Sequence, residues 1–154
     1  MFELKALEEN ELTPYFEDLW RDYRADFIAA GFSEDIADES VENSKKSDFP
    51  DQRLAPGNSI FFAYSEGEKV GKLWLYSIER EGKSEWSIYD IETFGAFRGK
   101  GFGRTIMMAA EDYVRAAGGD SISLSVFGNN HVARTLYESL EYEIIRVGMK
   151  KKLK

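Results

Sequence analysis

Residues 11–30 place Leu12, Tyr15, Phe16, Leu19, Tyr23 and Phe27 at spacings of three and four, which predicts an amphipathic helix. A short strand over 2–8 precedes it. Gly31 suits the end of that helix, and Ser33-Glu34-Asp35 has the form of an N-cap with an acidic first turn, opening a second helix to Lys46. Residues 47–58 hold Pro50, Pro56 and Gly57 and read as a loop. Strands are then expected over 59–65, 69–78 and 84–93, joined by tight turns at Glu66-Gly67-Glu68 and at 79–83 and paired antiparallel.

Beyond a glycine-rich run, a helix is expected with Phe102, Ile106, Ala109 or Ala110, Tyr113 and Ala117 turned inward, stopped at Gly118-Gly119. Ser121, Ser123 and Ser125 then alternate with Ile122, Leu124 and Val126, the period of a strand with unlike faces, over 121–127. A short helix over 130–140 and a final strand over 142–149 follow, before a solvated lysine-rich tail. This order predicts one α+β domain over residues 1–154. It has a mixed, mostly antiparallel sheet flanked by helices, a helical arm at 1–50 and a core at 59–149.

The chain has no cysteine, which removes disulfides and thiolate chemistry, and its single histidine, His131, rules out a multi-histidine metal centre. No metal is expected. No segment has the roughly 20 apolar residues that a membrane span needs, and none near Met1 has the form of a signal, so a cytoplasmic protein without a membrane partner is expected. The net charge of −8 argues against nucleic acid. Residues 1–50 carry 14 Asp and Glu against 5 Lys and Arg, a net of −9. That acidity is either an ordinary solvated surface or one that attracts a cationic substrate.

The run Phe97-Arg98-Gly99-Lys100-Gly101-Phe102-Gly103-Arg104 is suited to an anion. Glycines let successive backbone N–H groups turn toward a ligand at a helix N-terminus, and Arg98, Lys100 and Arg104 add charge. A Walker loop is excluded: Gly95 precedes Gly99-Lys100 by only three residues between, and Gly101 stands where Ser or Thr is required. A dinucleotide fingerprint is excluded by Arg104 at the third glycine position and by the hairpins upstream.

What matches is Arg98-x-x-Gly101-x-Gly103 after a strand, then another strand, then Asn130-x-x-Ala133-Arg134-x-Leu136-Tyr137-Glu138. Over residues 59–149 the chain resembles the GNAT superfamily of acyl-coenzyme A dependent N-acyltransferases. The resemblance implies a splayed strand pair whose gap holds the pantetheine arm beside Ile91, Glu92 and Thr93. It implies a diphosphate held by the amides from Arg98 to Arg104, including Gly99, Lys100, Gly101, Phe102 and Gly103. Asn130 and Ala133 would lie along the pantetheine, and Tyr137 would protonate the departing thiolate of acetyl-coenzyme A. Asn130 also suits the N-cap of its helix, and the Tyr137 ring also suits core packing. The family usually has glycine before the aromatic residue where this chain has Glu141-Tyr142, which puts a strained cap after Leu140 in prospect.

An amine acceptor must lose a proton before attack. Asp90 and Glu92, two apart on one strand, share a face, where repulsion and burial would raise a pKa; Glu92 is the expected base and Asp90 the partner of the substrate's charge. The alternative is a strand face paired with Lys72 or Lys83. Trp20, Tyr23 and Phe27 are candidates for an acceptor wall, with Asp22 or Asp26 drawing in a cation. The function expected is acetyl transfer to an amine on a small molecule or peptide. The rival is a domain that binds acyl-coenzyme A and transfers nothing. A sheet edge near residue 149 offers a route to a homodimer.

Overall fold

The computed structural model describes residues 1–154. Its elements in chain order are β1 (Phe2–Ala6), α1 (Glu9–Ala29), α2 (Glu34–Asp48), β2 (Asn58–Ser65), β3 (Glu68–Arg80), β4 (Lys83–Thr93), α3 (Phe102–Ala116), β5 (Ser121–Leu124) and α4 (His131–Ser139). The five strands form one sheet in chain order. Every neighbouring pair is antiparallel except β4 and β5, which are parallel.

The α1–α2 arm packs on one face of this sheet, and α3 with α4 on the other. Phe16 is the centre of the arm side, stacked on Phe49 at 4.4 Å and edge-on to Trp74 at 5.3 Å. On the other side Leu73, Leu75, Trp86 and Ile88 meet Ile106, Met107, Ala110 and Val114. Gly71 allows that contact: a Cβ there would come within 2.7 Å of Ile106 Cδ1 and 2.4 Å of the Glu92 carbonyl.

Two expectations about burial and pairing are corrected. The inward stripe of α3 is Ile106, Met107, Ala110 and Val114; Tyr113 and Ala117 lie outward. Tyr113 instead caps the edge of the core against Phe61 and Trp86, where its hydroxyl keeps access to water. The strand expected over 142–149 does not form. The chain turns at Glu141, whose φ of 68° is left-handed, and from Glu143 onward no residue hydrogen-bonds to the sheet. A strand exists only with a partner, and this segment lies off the sheet.

One irregularity positions the site. Opposite β3, Trp74 pairs with Asp90 but Leu75 pairs with Ile88, so Tyr89 is an extra residue in β4. Before the bulge, Trp86 and Ile88 point toward α3. After it, Ile91 takes that side, and Asp90 and Glu92 turn to the arm side. At the same place the β4–β5 ladder stops at Ile88 and Leu124, while β4 runs on to Thr93.

Candidate active site

The glycine run turns β4 into α3. Gly99 and Gly101 have φ of 74° and 86°, which glycine adopts without a Cβ penalty, and a Cβ on either would meet no protein atom within 4 Å. The N–H groups from Gly99 to Arg104 donate no hydrogen bond within the protein; the first α3 bonds come from Thr105, to the Gly101 carbonyl. The result is a run of free donors at the positive end of a helix 15 residues long. Gly103 serves packing instead, since a Cβ there would press on Leu136 Cδ2 at 3.3 Å and approach Thr93 Oγ1 at 3.7 Å.

The three basic side chains differ in their engagement. Arg98 folds back on β4, donating from Nε to the Thr93 carbonyl at 3.1 Å and lying 3.6 Å from Glu92 Oε1. Arg104 donates to Ser139 Oγ at 2.7 Å and so ties the start of α3 to the last residue of α4. Lys100 has no hydrogen bond or ion pair; its Nζ lies 5.8 Å from the Phe97 ring. Phe102 packs edge-on against Phe97.

Asn130 caps α4, its Oδ1 accepting from the Ala133 N–H at 3.2 Å, which leaves its side-chain N–H₂ free of protein partners. His131 is exposed at the first position of the helix. Tyr137 is half-buried against the α3-side core. Burial raises the pKa of its hydroxyl, and the negative charge of Asp90 adds to the rise. The hydroxyl is therefore protonated at neutral pH, and it stands within electrostatic reach of Asp90.

Asp90 and Glu92 do share a face, and a third residue joins them. Lys72 Nζ lies 3.1 Å from Asp90 Oδ2 and 3.3 Å from Glu92 Oε2. Asp90 Oδ2 also accepts from the Tyr15 hydroxyl at 2.7 Å. Burial alone would lower the Lys72 pKa, but the two carboxylates outweigh it and hold the pKa above its ordinary value. Burial pushes the Tyr15 phenol well up, and Asp90 pushes it further. The mutual repulsion expected of the carboxylates is thus answered by an ammonium that is 7% exposed.

The arm residues divide into two groups. Trp20 is locked into the arm's own packing, donating from Nε1 to Ser44 Oγ at 3.2 Å beside Phe16 and Phe49. Tyr23 and Phe27 belong to a ring cluster that crosses to the loop after β5: Phe27 meets Phe127 at 5.3 Å, and Asn129 Nδ2 donates to the Ala29 carbonyl. Asp26, one residue before Phe27, is exposed on α1. Its pKa is raised by burial first, then by the charges of Asp22, Asp90 and Glu92.

Lys72 and Tyr15 are the residues that sequence reasoning undervalued. A lone lysine within Val70-Gly71-Lys72-Leu73-Trp74-Leu75 signals a buried charge in need of partners. Tyr15 carried no signal beyond its helical spacing.

The fold and the two motifs define an acyltransferase. The pattern of the Acetyltransferase (GNAT) family matches residues 12–142, and the chain belongs to that family. It is 27% identical over 154 residues to the uncharacterized N-acetyltransferase YdgE of Bacillus subtilis, covering 99% of this chain and 98% of the other. A crystal structure of the putative acetyltransferase YycN from Bacillus subtilis superposes with a TM-score of 0.90 at 26% identity, covering 99% of each chain. The N-alpha-acetyltransferase RimI of Mycobacterium tuberculosis is 28% identical over 104 residues, covering 68% of this chain and 63% of that protein. Among the side chains, no cluster of three or more His, Cys, Asp or Glu is placed to hold a metal. No helix is long and apolar enough to cross a membrane.

Proposed function

We propose that the protein transfers the acetyl group of acetyl-coenzyme A to a primary amine, in a ternary complex and without an acyl-enzyme. The observation that carries this reading is a half-strand without a second partner that leads directly into six consecutive free amides. The first offers backbone groups to the pantetheine arm, and the second offers donors to a diphosphate. Asn130 Nδ2 and the exposed edge at Ile91 and Thr93 would flank the arm, with Lys100 supplying mobile charge. The donor, when bound, supplies an activated thioester.

Tyr137 Oη gives its proton to the departing sulfur, and burial keeps that proton in place until it is needed. Glu92, the more exposed of the two carboxylates, takes the proton of the incoming ammonium directly or through water. Asp90 is fixed by Tyr15 and Lys72 and serves as the negative end of the acceptor site. As nitrogen bonds to the carbonyl carbon, the carbon–sulfur bond breaks, and the second proton shed by nitrogen replaces the one that Tyr137 gave to sulfur. Both reactants are held together, which removes much of the entropic barrier.

The acceptor we infer is cationic, a polyamine, amino compound or basic peptide end. It is drawn by Asp26 and Asp90 and flanked by Tyr23, Phe27 and Phe127. The relative RimI is named for acetylating α-amines, which is one member of that class. Thiol release measured across a panel of amines tests the reading. A preference for cationic over anionic amines is expected, together with loss of turnover in Tyr137→Phe and Glu92→Gln. Unchanged thiol release in both variants would overturn the catalytic roles.

A further inference from the structure

Asp48 is a carboxylate without a counter-charge. It is the last residue of α2, where the negative end of the helix dipole disfavours an anion, and it is half-buried. Ser44 donates to its Oδ2 at 2.9 Å, but no lysine or arginine pairs with it; Lys45, on the same helix, goes to Glu42 at 3.0 Å. Burial raises its pKa against the pull of the Ser44 bond. A chain of hydrogen bonds fixes where this residue stands. Its backbone carbonyl accepts from the Ala55 N–H at 2.9 Å, the Ala55 carbonyl accepts from Asn58 Nδ2 at 3.0 Å, and Asn58 Oδ1 accepts from Trp74 Nε1 at 2.7 Å. Trp74 is in turn edge-on to Tyr89 at 5.2 Å, and Tyr89 is stacked on Tyr76 at 5.1 Å. The charge of Asp48 reaches Tyr89 on β4 and Tyr23 on α1: burial first, and then Asp48, raises both phenols. Tyr89 is 49% exposed and Tyr23 36%.

A half-buried carboxylate at a helix C-terminus is costly unless something else supplies the cation. Solvent-open aromatic rings beside it suit an alkylammonium, which gains from both the carboxylate and the ring face. We propose that Asp48, together with Tyr23 and Tyr89, binds a second cationic group of the acceptor, so that the preferred substrate carries two cations a fixed distance apart. The proposal rests on the acetyl transfer inferred above, with Glu92 as the base. Tyr89 precedes Glu92 by three residues on β4, so at about 3.3 Å per residue the two cations lie roughly 10 Å apart. The division of labour follows from the pairing already present. Asp90 is matched by Lys72 and Tyr15 within the protein, whereas Asp48 keeps an uncompensated charge for the ligand. A monoamine leaves that charge unpaired, and a diamine of the right span satisfies both ends.

Calorimetric titration without donor, in about 0.15 M salt to screen the general pull of the acidic surface, compares heptamethylenediamine with heptylamine. The diamine is expected to bind about tenfold tighter. Asp48→Asn, whose amide oxygen can still accept from Ser44, is expected to bring the ratio down to the statistical advantage of two equal ends. Asp48→Glu keeps the charge and is expected to keep most of the ratio. Tyr89→Ala leaves α2 untouched and is expected to reduce the ratio severalfold. A wild-type ratio no larger than the statistical one overturns the proposal. So does a ratio that survives Asp48→Asn, and so does a loss in Asp48→Glu equal to that in Asp48→Asn. Thiol release is read separately: absence of turnover with every amine strikes the acetyl transfer alone, and the calorimetric ratio still decides the second cation site.

Discussion

The two halves of β4 have the same kind of alternation and opposite uses. Up to Ile88 the strand is paired on both edges, and Trp86 and Ile88 are buried against α3, each contributing on the order of 2 kcal/mol by leaving water. From Asp90 onward it keeps only β3, and the residues of the same parity are carboxylates held by Lys72 and Tyr15 on the other face. Tyr89 separates them. One inserted residue exchanges the faces at the place where pairing to β5 ends, so a single strand is structural at one end and free for chemistry at the other.

The largest way to break this comparison is to insert one residue between Trp74 and Leu75, opposite Tyr89. A ladder made regular in that way would drive Lys72, Asp90 and Glu92 into the apolar layer of Ile88 and Ile106, and the cooperative thermal transition seen by calorimetry is expected to disappear. Tyr89→Ala keeps the bulge and loses only ring contacts with Trp74 and Tyr76. It is expected to cost about 1 kcal/mol.

Next in size, Tyr137→Phe should lower kcat by about 10²- to 10⁴-fold while coenzyme binding, followed by thermal shift, stays unchanged. That result would place the proton donor on α4, within the field of Asp90 on the open half of β4.

Third, Lys72→Met leaves two carboxylates facing one another without their cation. Stability in urea is expected to fall by about 3 kcal/mol, and adding Asp90→Asn with Glu92→Gln should restore most of it. The pH dependence has a definite sign. The folded pKa of Lys72 is raised, so its contribution is complete below the ordinary lysine value near 10.4 and fades as pH rises through the folded pKa. Lys72→Met should remove that alkaline loss.

Smallest is Glu141→Gly. The position is left-handed, and glycine there should add about 1 kcal/mol, seen as a rise of roughly 2–4 °C in Tm, with catalysis unaffected.

Most of the fold was legible because it rests on periodicity and punctuation. The heptad-like spacing in α1, the N-cap at Ser33, the three hairpin strands and the two helix-opening motifs all appear in the structure within a few residues of their expected bounds. The carboxylate pair and the free amides were legible from spacing and glycine chemistry. The bulge was not, since Ile88-Tyr89-Asp90-Ile91 has no glycine and no break in strand propensity; only the opposite strand reveals it. The rotation of α3 was missed because Gly103 sets the helix against Leu136, a contact between residues 33 apart in sequence. Tyr142 to Met149 has the composition of a strand, and composition does not say whether the neighbour is in the same molecule.

The arm leaves the sheet after Ala6 and rejoins it at Asn58, yet β1 and β2 are immediate neighbours. Closing a longer or shorter excursion there changes the chain entropy by only tenths of a kcal/mol, since the cost grows with the logarithm of length. The half proposed to hold the donor, built entirely from residues after Gly71, would be untouched. On the roles proposed above, acceptor choice is set by a single insertion that can be remodelled alone, with the Tyr15 hydroxyl on Asp90 as the main contact any replacement must reproduce.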